Sequence, residues 1–98
     1  MATINRYGPY FVSLGFGDTF KPGELRGYTF GSFPPFGDAV VTVSVHPARD
    51  GFAEKSIRLE SIVSRRRPNG EHFIDCFYRN TSSGGILFWS LYLCVVSP

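Results

Sequence analysis

An alternation of apolar and polar residues is the clearest pattern along the chain. In the segment Val41–His46, three valines alternate with Thr42, Ser44 and His46, which predicts a strand with valines toward a core and polar residues toward solvent. Similar patterns predict further strands over Tyr10–Phe16, Leu25–Phe30, Ser56–Arg65, His72–Asn80 and Ile86–Val96. No stretch of ten or more residues carries the apolar stripe of an amphipathic helix.

Turn-forming residues separate these strands at short intervals. Pro22-Gly23 occupies the centre of one turn, and Asn69-Gly70 supplies the positive φ angles of a tight hairpin. Ser56–Arg65 and His72–Asn80 are therefore predicted to pair. Six or seven short strands in 98 residues predict an all-β, single domain over residues 1–98. They favour a two-sheet antiparallel sandwich over a closed barrel.

The last quarter of the chain, Glu71–Pro98, is predicted to form a hairpin that turns at the small residues Thr81–Gly85. Centred near Ser83, it places even-numbered residues on one face and odd-numbered residues on the other. We expect the even face, which carries no charge, to be the core. The odd face then presents an apolar patch formed by Phe73, Phe77, Trp89, Leu91 and Leu93. The alternatives are that the two faces are reversed or that a loop covers the patch.

Composition and charge narrow the class of protein. A hydrophobic fraction of 43% excludes a disordered chain, and a net charge of +2 is too small to indicate a nucleic-acid or membrane partner. The one charge cluster, Arg65-Arg66-Arg67, lies at a predicted strand end, so its side chains point to both faces. We interpret it as a solvated turn, and nucleic-acid binding as the less favoured alternative.

The two cysteines indicate a reducing environment. In the predicted hairpin Cys76 and Cys94 share a face but lie about 13 Å apart along the strands, too far for a disulfide. We expect free, buried thiols, which favours a cytoplasmic location without fixing the compartment. The first residues lack the apolar segment of a signal peptide, and the apolar run around Ile86–Val96 is too short to cross a bilayer.

Several motifs together resemble bacterial immunoglobulin-like or fibronectin-like domains. These are Lys-Pro-Gly-Glu before an aromatic strand, the Val-x-Val-x-Val strand, and the late strand Ile74–Thr81 that runs into Ser-Ser-Gly. The chain lacks the Cys, Trp, Cys spacing of true immunoglobulin domains. The resemblance implies an immunoglobulin-like sandwich with a binding or spacer role.

No motif points to catalysis or to a cofactor. His46 and His72 are the two histidines, and neither belongs to a nucleophile motif or a zinc-ligand spacing. No glycine-rich loop precedes a helix, as a phosphate-binding loop would require. We therefore expect a protein that is not an enzyme and that needs neither a metal nor a cofactor.

Binding is the remaining class of function, in two forms. The first is association with another protein or with a second copy through the predicted apolar patch. The alternative is a small carbohydrate-binding module, because aromatic rings flanked by planar polar groups suit sugars. Its candidate residues are Trp89, Asp75, Arg79 and Asn80, with Phe77 and Tyr92 as further rings, and a second aromatic cluster of Tyr28, Phe30, Phe33 and Phe36.

Overall fold

The structure is a computed structural model that describes residues 3–15, 17–33, 39–48 and 53–97. Across these residues the chain forms six strands and no helix. The strands are β1 (Thr3–Ser13), β2 (Leu25–Phe33), β3 (Val40–Pro47), β4 (Ile57–Arg66), β5 (His72–Asn80) and β6 (Phe88–Ser97). No helix long and apolar enough to cross a membrane occurs in this part of the chain.

The strands form two three-stranded antiparallel sheets, ordered β1-β6-β3 and β2-β5-β4. The inner faces of both sheets contribute to one hydrophobic core. The predicted all-β, two-sheet antiparallel sandwich is therefore confirmed. The two central strands are β5 and β6, which carry the longest runs of alternately buried residues.

The predicted hairpin over Glu71–Pro98 is wrong. Strand β5 pairs only with β2 and β4, and β6 pairs only with β1 and β3, so the two strands belong to different sheets. The chain crosses between the sheets after Asn80, and Ile86 forms a bridge with Phe20 before β6 begins. Small, glycine-rich residues permit a tight reversal within one sheet and a crossing between two sheets equally well, which is why composition misled the pairing.

The core consists of the even face of β5 and the odd face of β6. Ile74, Cys76 and Tyr78 are buried, as predicted. On β6 the prediction is reversed, because Trp89 is 1% exposed and Leu91 and Leu93 are 0% exposed. The remaining buried apolar residues are Phe20, Phe30, Val43, Ile86 and Val95.

Local predictions fared better than the long-range pairing. The valines of β3 face inward with Val43 buried, and Thr42, Ser44 and His46 are exposed, as the alternation predicted. Strands β4 and β5 form the predicted hairpin, closed by a hydrogen bond from the Arg67 amide to the Glu71 carbonyl.

Two details of the predicted strands need correction. A bulge between Leu59 and Ser61 shifts the register of β4, so the regular alternation expected over Ser56–Arg65 breaks there and Val63 faces outward. Strand β1 begins at Thr3, well before the predicted Tyr10. Strand β2 extends to Phe33, beyond its predicted end at Phe30, and residues 34–38 lie outside the described part of the chain.

Candidate functional site

The structure divides the predicted interface between two places. Trp89, Leu91 and Leu93 point into the core, so they cannot form a surface patch. Phe73 and Phe77 lie on the outer face of the β2-β5-β4 sheet and are half-buried. The five residues therefore do not form one surface.

Phe73 and Phe77 cover glycines of the neighbouring strand. A Cβ atom built on Gly31 would lie 2.6 Å from Cδ1 of Phe73, and one on Gly27 would lie 3.1 Å from Cδ1 of Phe77. Each ring thus occupies the space that a side chain on β2 would fill. The guanidinium groups of Arg65 and Arg67 also lie over Phe73, at 5.1 Å and 4.8 Å from the ring centroid. Both rings are already covered by their own chain.

The charged side chains on this outer face are paired with one another. Glu60 accepts hydrogen bonds from Arg79 at 2.6 Å and from Arg58 at 2.8 Å, which lowers the pKa of its carboxyl to about 2. Asp75 accepts from Arg65 and, at 2.6 Å, from the Thr29 hydroxyl; both bonds lower its pKa. This face has little unsatisfied polar capacity to offer a ligand.

The predicted sugar-binding residues do not form one site. Asp75 and Arg79 lie on the outer face of β5 and are engaged in the ion pairs above. Asn80 points inward and is 1% exposed, and Trp89 belongs to the other sheet.

The second predicted aromatic cluster is also part of the packing. Phe30 is buried, and Phe33 packs against Tyr7 with ring centroids 5.4 Å apart. Tyr28 and Phe33 line a small depression of about 140 Å³. Phe36 lies outside the described residues.

A different surface is left open by the fold, on the outer side of the β1-β6-β3 sheet. We call it the open face. The register of the three strands places on it one guanidinium and no carboxylate. Its residues are Ile4, Arg6, Phe11 and Ser13 of β1, Phe88, Ser90, Tyr92, Cys94 and Val96 of β6, and Val40, Thr42, Ser44 and His46 of β3.

The two ends of the open face are apolar. At one end Ile4 and Val40 flank Val96 and are 68% and 61% exposed. At the other end Phe11 is 78% exposed, beside the partly exposed Phe88. Phe11, Ile4 and Val40 are the three most exposed large hydrophobic side chains among the described residues.

The middle of the open face is a depression of about 230 Å³ with polar and apolar groups in its lining, which we call the Tyr92 pocket. Its lining residues come from all three strands and are Arg6, Thr42, Val43, Ser44, His46, Tyr92 and Cys94. Tyr92 stands at the centre of β6. The Arg6 guanidinium lies over its ring, 5.8 Å from the centroid, and the His46 ring meets it edge-on at 5.7 Å. His46 is further held by Ser44, whose hydroxyl lies 3.0 Å from Nε2.

Sequence reasoning missed most of this pocket. It treated the outward residues of β3 as a solvated face and placed Tyr92 and Cys94 on the expected core face, although it also named Tyr92 as a possible sugar-binding ring. Arg6 lay outside every predicted strand. The one available signal was the run of hydroxyl and imidazole groups at Thr42, Ser44 and His46, which has the chemistry of a binding surface only when an aromatic strand lies beside it.

The two cysteines are free thiols, as predicted, but they occupy different environments. Cys76 is buried in the core on β5, and burial raises its pKa to about 11. Cys94 is half-buried and lines the Tyr92 pocket. Within the described residues no three His, Cys, Asp or Glu side chains come together in a group that could hold a metal ion.

Comparison of the chain with family models, curated proteins and solved structures finds no match. The immunoglobulin-like resemblance therefore still depends on the sequence motifs and stays a prediction.

Proposed function

We propose that this protein is a non-catalytic binding module that associates with a second copy of itself through the open face. The observation that carries the proposal is the exposure of Phe11, Ile4 and Val40, three large apolar side chains on one sheet face. Exposed apolar groups at both ends of one face are candidate contacts for a partner, because their burial favours association.

Comparison of the two outer faces supports this choice. On the β2-β5-β4 sheet the aromatic rings cover glycines and the carboxylates pair with arginines. On the open face the apolar ends have no such cover from the described residues. An interface is favoured where apolar surface stays exposed, because its burial is the main favourable contribution to association.

The strand register suggests how two copies fit together. Arg6 is opposite Cys94 and Phe11 is opposite Ser90, so Tyr92 lies midway between these two rows. We place a two-fold axis at Tyr92, in the plane between the two faces and perpendicular to the strands. This axis puts Arg6 of one copy over Phe11 of the other. It also brings Val96 against Phe88. Such a pair joins the apolar ends, stacks the cation on an exposed ring and keeps the two Arg6 charges apart.

The size of the face indicates weak association. Three strands about 4.8 Å apart and ten residues long cover roughly 500 Å². A standard interface buries about 800 Å² on each partner. We therefore expect a dimer that forms in the micromolar range or above.

Solution mass tests the proposal. We would measure it by light scattering and sedimentation equilibrium from micromolar to millimolar concentration, for wild type, Phe11→Glu and the matched control Leu25→Glu. Leu25 is 46% exposed on the outer face of the other sheet. We expect a concentration-dependent dimer in wild type and Leu25→Glu, and a monomer in Phe11→Glu with unchanged circular dichroism. A wild-type monomer at every concentration, or equal loss in both variants, would refute the assignment.

Carbohydrate binding is a second candidate, and the Tyr92 pocket is the observation that favours it. Tyr92 supplies an aromatic ring, and Thr42, Ser44 and His46 supply hydrogen-bonding groups beside it. A glycan array with wild type and Tyr92→Ala tests this candidate. Sugar binding that survives loss of the ring would place the sugar elsewhere.

A further inference from the structure

We infer that the Tyr92 pocket is a binding site for the oxyanion of a small molecule, a carboxylate, phosphate or sulfate. The inference concerns the middle of the open face. It names a ligand for the unassociated protein, and because the proposed two-fold axis passes through Tyr92, the anion and the second copy compete for this face. It therefore goes beyond the proposed function.

The charge of the pocket carries the first step. Among the described residues that line the pocket, Arg6 is the only arginine or lysine, and none is a carboxylate. The ion pairs of the described residues involve Arg26, Arg58, Arg65 and Arg79, and none includes Arg6. Arg6 therefore meets no carboxylate within the described part of the chain. An unneutralised guanidinium at a concave site favours an anion, and its planar donors match two oxygens of a carboxylate or phosphate.

The hydrogen-bonding groups carry the second step. Thr42, Ser44 and Tyr92 add hydroxyl groups to the lining, and His46 adds a ring nitrogen. Hydroxyls rotate to donate to an anion, whereas a carboxylate in the lining would repel it. The contact between Ser44 and His46 and the edge-on packing of His46 on Tyr92 hold three of these groups in place before any ligand arrives.

The third observation is the size and shape of the pocket. A volume of about 230 Å³ is several times the roughly 30 Å³ that one water molecule occupies in the liquid. The pocket thus has room for an oxyanion with a small organic body. It is shallow and lies on a sheet face, so a charged group on a compact, water-soluble molecule fits it better than a long apolar chain.

Titration of ¹⁵N-labelled protein followed by NMR tests the inference. The probes are inorganic phosphate, sulfate and glucuronate, with glucose as the neutral match for glucuronate, at constant ionic strength. We expect at least one of the three anions to cause saturable shifts at Arg6, Thr42, Ser44 and Tyr92, and glucose to cause none. The phosphate, sulfate and glucuronate arms identify which oxyanion the pocket prefers.

Three variants separate this site from general charge effects and from association. Arg6→Gln removes the charge but leaves a shorter side chain with an amide donor, and it should weaken binding at least about tenfold, because a charge-assisted bond is lost. Arg66→Gln removes an exposed arginine of the other sheet and should leave binding unchanged. Phe11→Glu abolishes the proposed dimer, which covers the pocket, so this variant should keep saturable binding, whereas wild type should bind less tightly at concentrations where it is dimeric.

Three results would overturn the inference. These are shifts that do not saturate with any anion, equal binding of glucose and glucuronate, and equal weakening by Arg6→Gln and Arg66→Gln. A dimer without anion binding would leave the proposed function standing and remove this inference. Anion binding by a protein that is monomeric at all concentrations would support this inference and refute the proposed self-association.

Discussion

Replacement of Asn80 by Ala should destabilise the fold more than loss of a polar side chain in an exposed turn. Asn80 ends β5 where the chain leaves one sheet for the other, and it is the one buried polar residue among those described. Its Nδ2 donates to the carbonyls of Phe20 at 2.8 Å and of Gly84 at 3.0 Å. Its Oδ1 accepts from the amide of Ser82 at 2.8 Å and from the Ser82 hydroxyl. One amide group thus ties together the crossing segment and the segment that carries Phe20.

The magnitude follows from what remains after the side chain is removed. Each hydrogen bond contributes about 1 kcal/mol net, and a buried group left without a partner costs about 1–3 kcal/mol. The Phe20 carbonyl keeps a bond from the Ile86 amide at 3.0 Å, so its loss is partial. The Gly84 carbonyl and the Ser82 amide lose the partner they have in the native fold. We therefore expect a loss of about 3 kcal/mol in the free energy of unfolding, from a total of about 5–15 kcal/mol for a typical domain.

Urea unfolding measures this loss. Trp89 is the only tryptophan and is buried, so its fluorescence reports on the core directly, with far-ultraviolet circular dichroism as the second signal. Asn69→Ala is the matched control, because Asn69 also makes two side-chain bonds, to Glu71, but in an exposed turn. We expect that control to lose less than about 1 kcal/mol.

A second substitution tests the direction of the hydrogen bonds. Asn80→Asp replaces the donor that faces two carbonyls with an acceptor, so at neutral pH it should be less stable than Asn80→Ala. Protonation of the introduced carboxylate restores one donor. The difference in unfolding free energy between the two variants should therefore shrink as the pH falls. If Asn80→Ala costs no more than Asn69→Ala, the side-chain bonds of Asn80 do not hold the crossing and the reasoning fails.

Three smaller predictions concern other residues. The pKa of Glu60 is lowered from 4.5 to about 2, so the stability that the ionised Glu60 contributes is complete above pH 4.5 and is lost as the pH falls toward 2. Glu60→Gln should remove this part of the pH dependence of the melting temperature, and equal pH dependence in wild type and variant would contradict it. Gly31→Ala should cost about 2 kcal/mol by urea unfolding, because Gly31 has a φ of +146° and a Cβ would meet an aromatic carbon at 2.6 Å, whereas Gly15, with nothing within 4 Å, should tolerate Ala. In native protein a maleimide should label Cys94 and spare the buried Cys76; equal labelling rates would show that the core opens readily.

The elements that could be predicted from sequence are those set by neighbouring residues. The alternating valines around Val43 define the inward face of β3 without reference to any other strand. The turn at Arg67–Gly70 sets the pairing of the β4–β5 hairpin, and of the predicted Asn69-Gly70 pair only Gly70 has a positive φ, +93°. In both cases the sequence signal and the structural cause lie within a few residues of each other.

The pairing of β5 and β6 could not be predicted in the same way. Both strands have apolar residues on both faces, so hydrophobic pattern alone does not say which face is inside. Phe73 and Phe77 are aromatic although they face outward, because their rings fill the space above Gly31 and Gly27 on a strand distant in sequence. For Trp89 the reason is the core, where its Nε1 donates to the hydroxyl of Tyr78 in the opposite sheet at 2.8 Å. The same apolar appearance thus has two different causes.

The Tyr92 pocket shows why the candidate site lay beyond sequence reasoning. Its groups come from Arg6 near the start of the chain, from Thr42–His46 in the middle, and from Tyr92 and Cys94 near the end. They meet because β6 is the central strand between β1 and β3, an order that no spacing in the sequence encodes. The wrong face assignment of β6 also hid the candidate site. Once odd positions such as Trp89 are placed inside, Tyr92 must point outward beside the hydroxyls of β3. The chemistry of the open face is therefore fixed by the same alternation that builds the core.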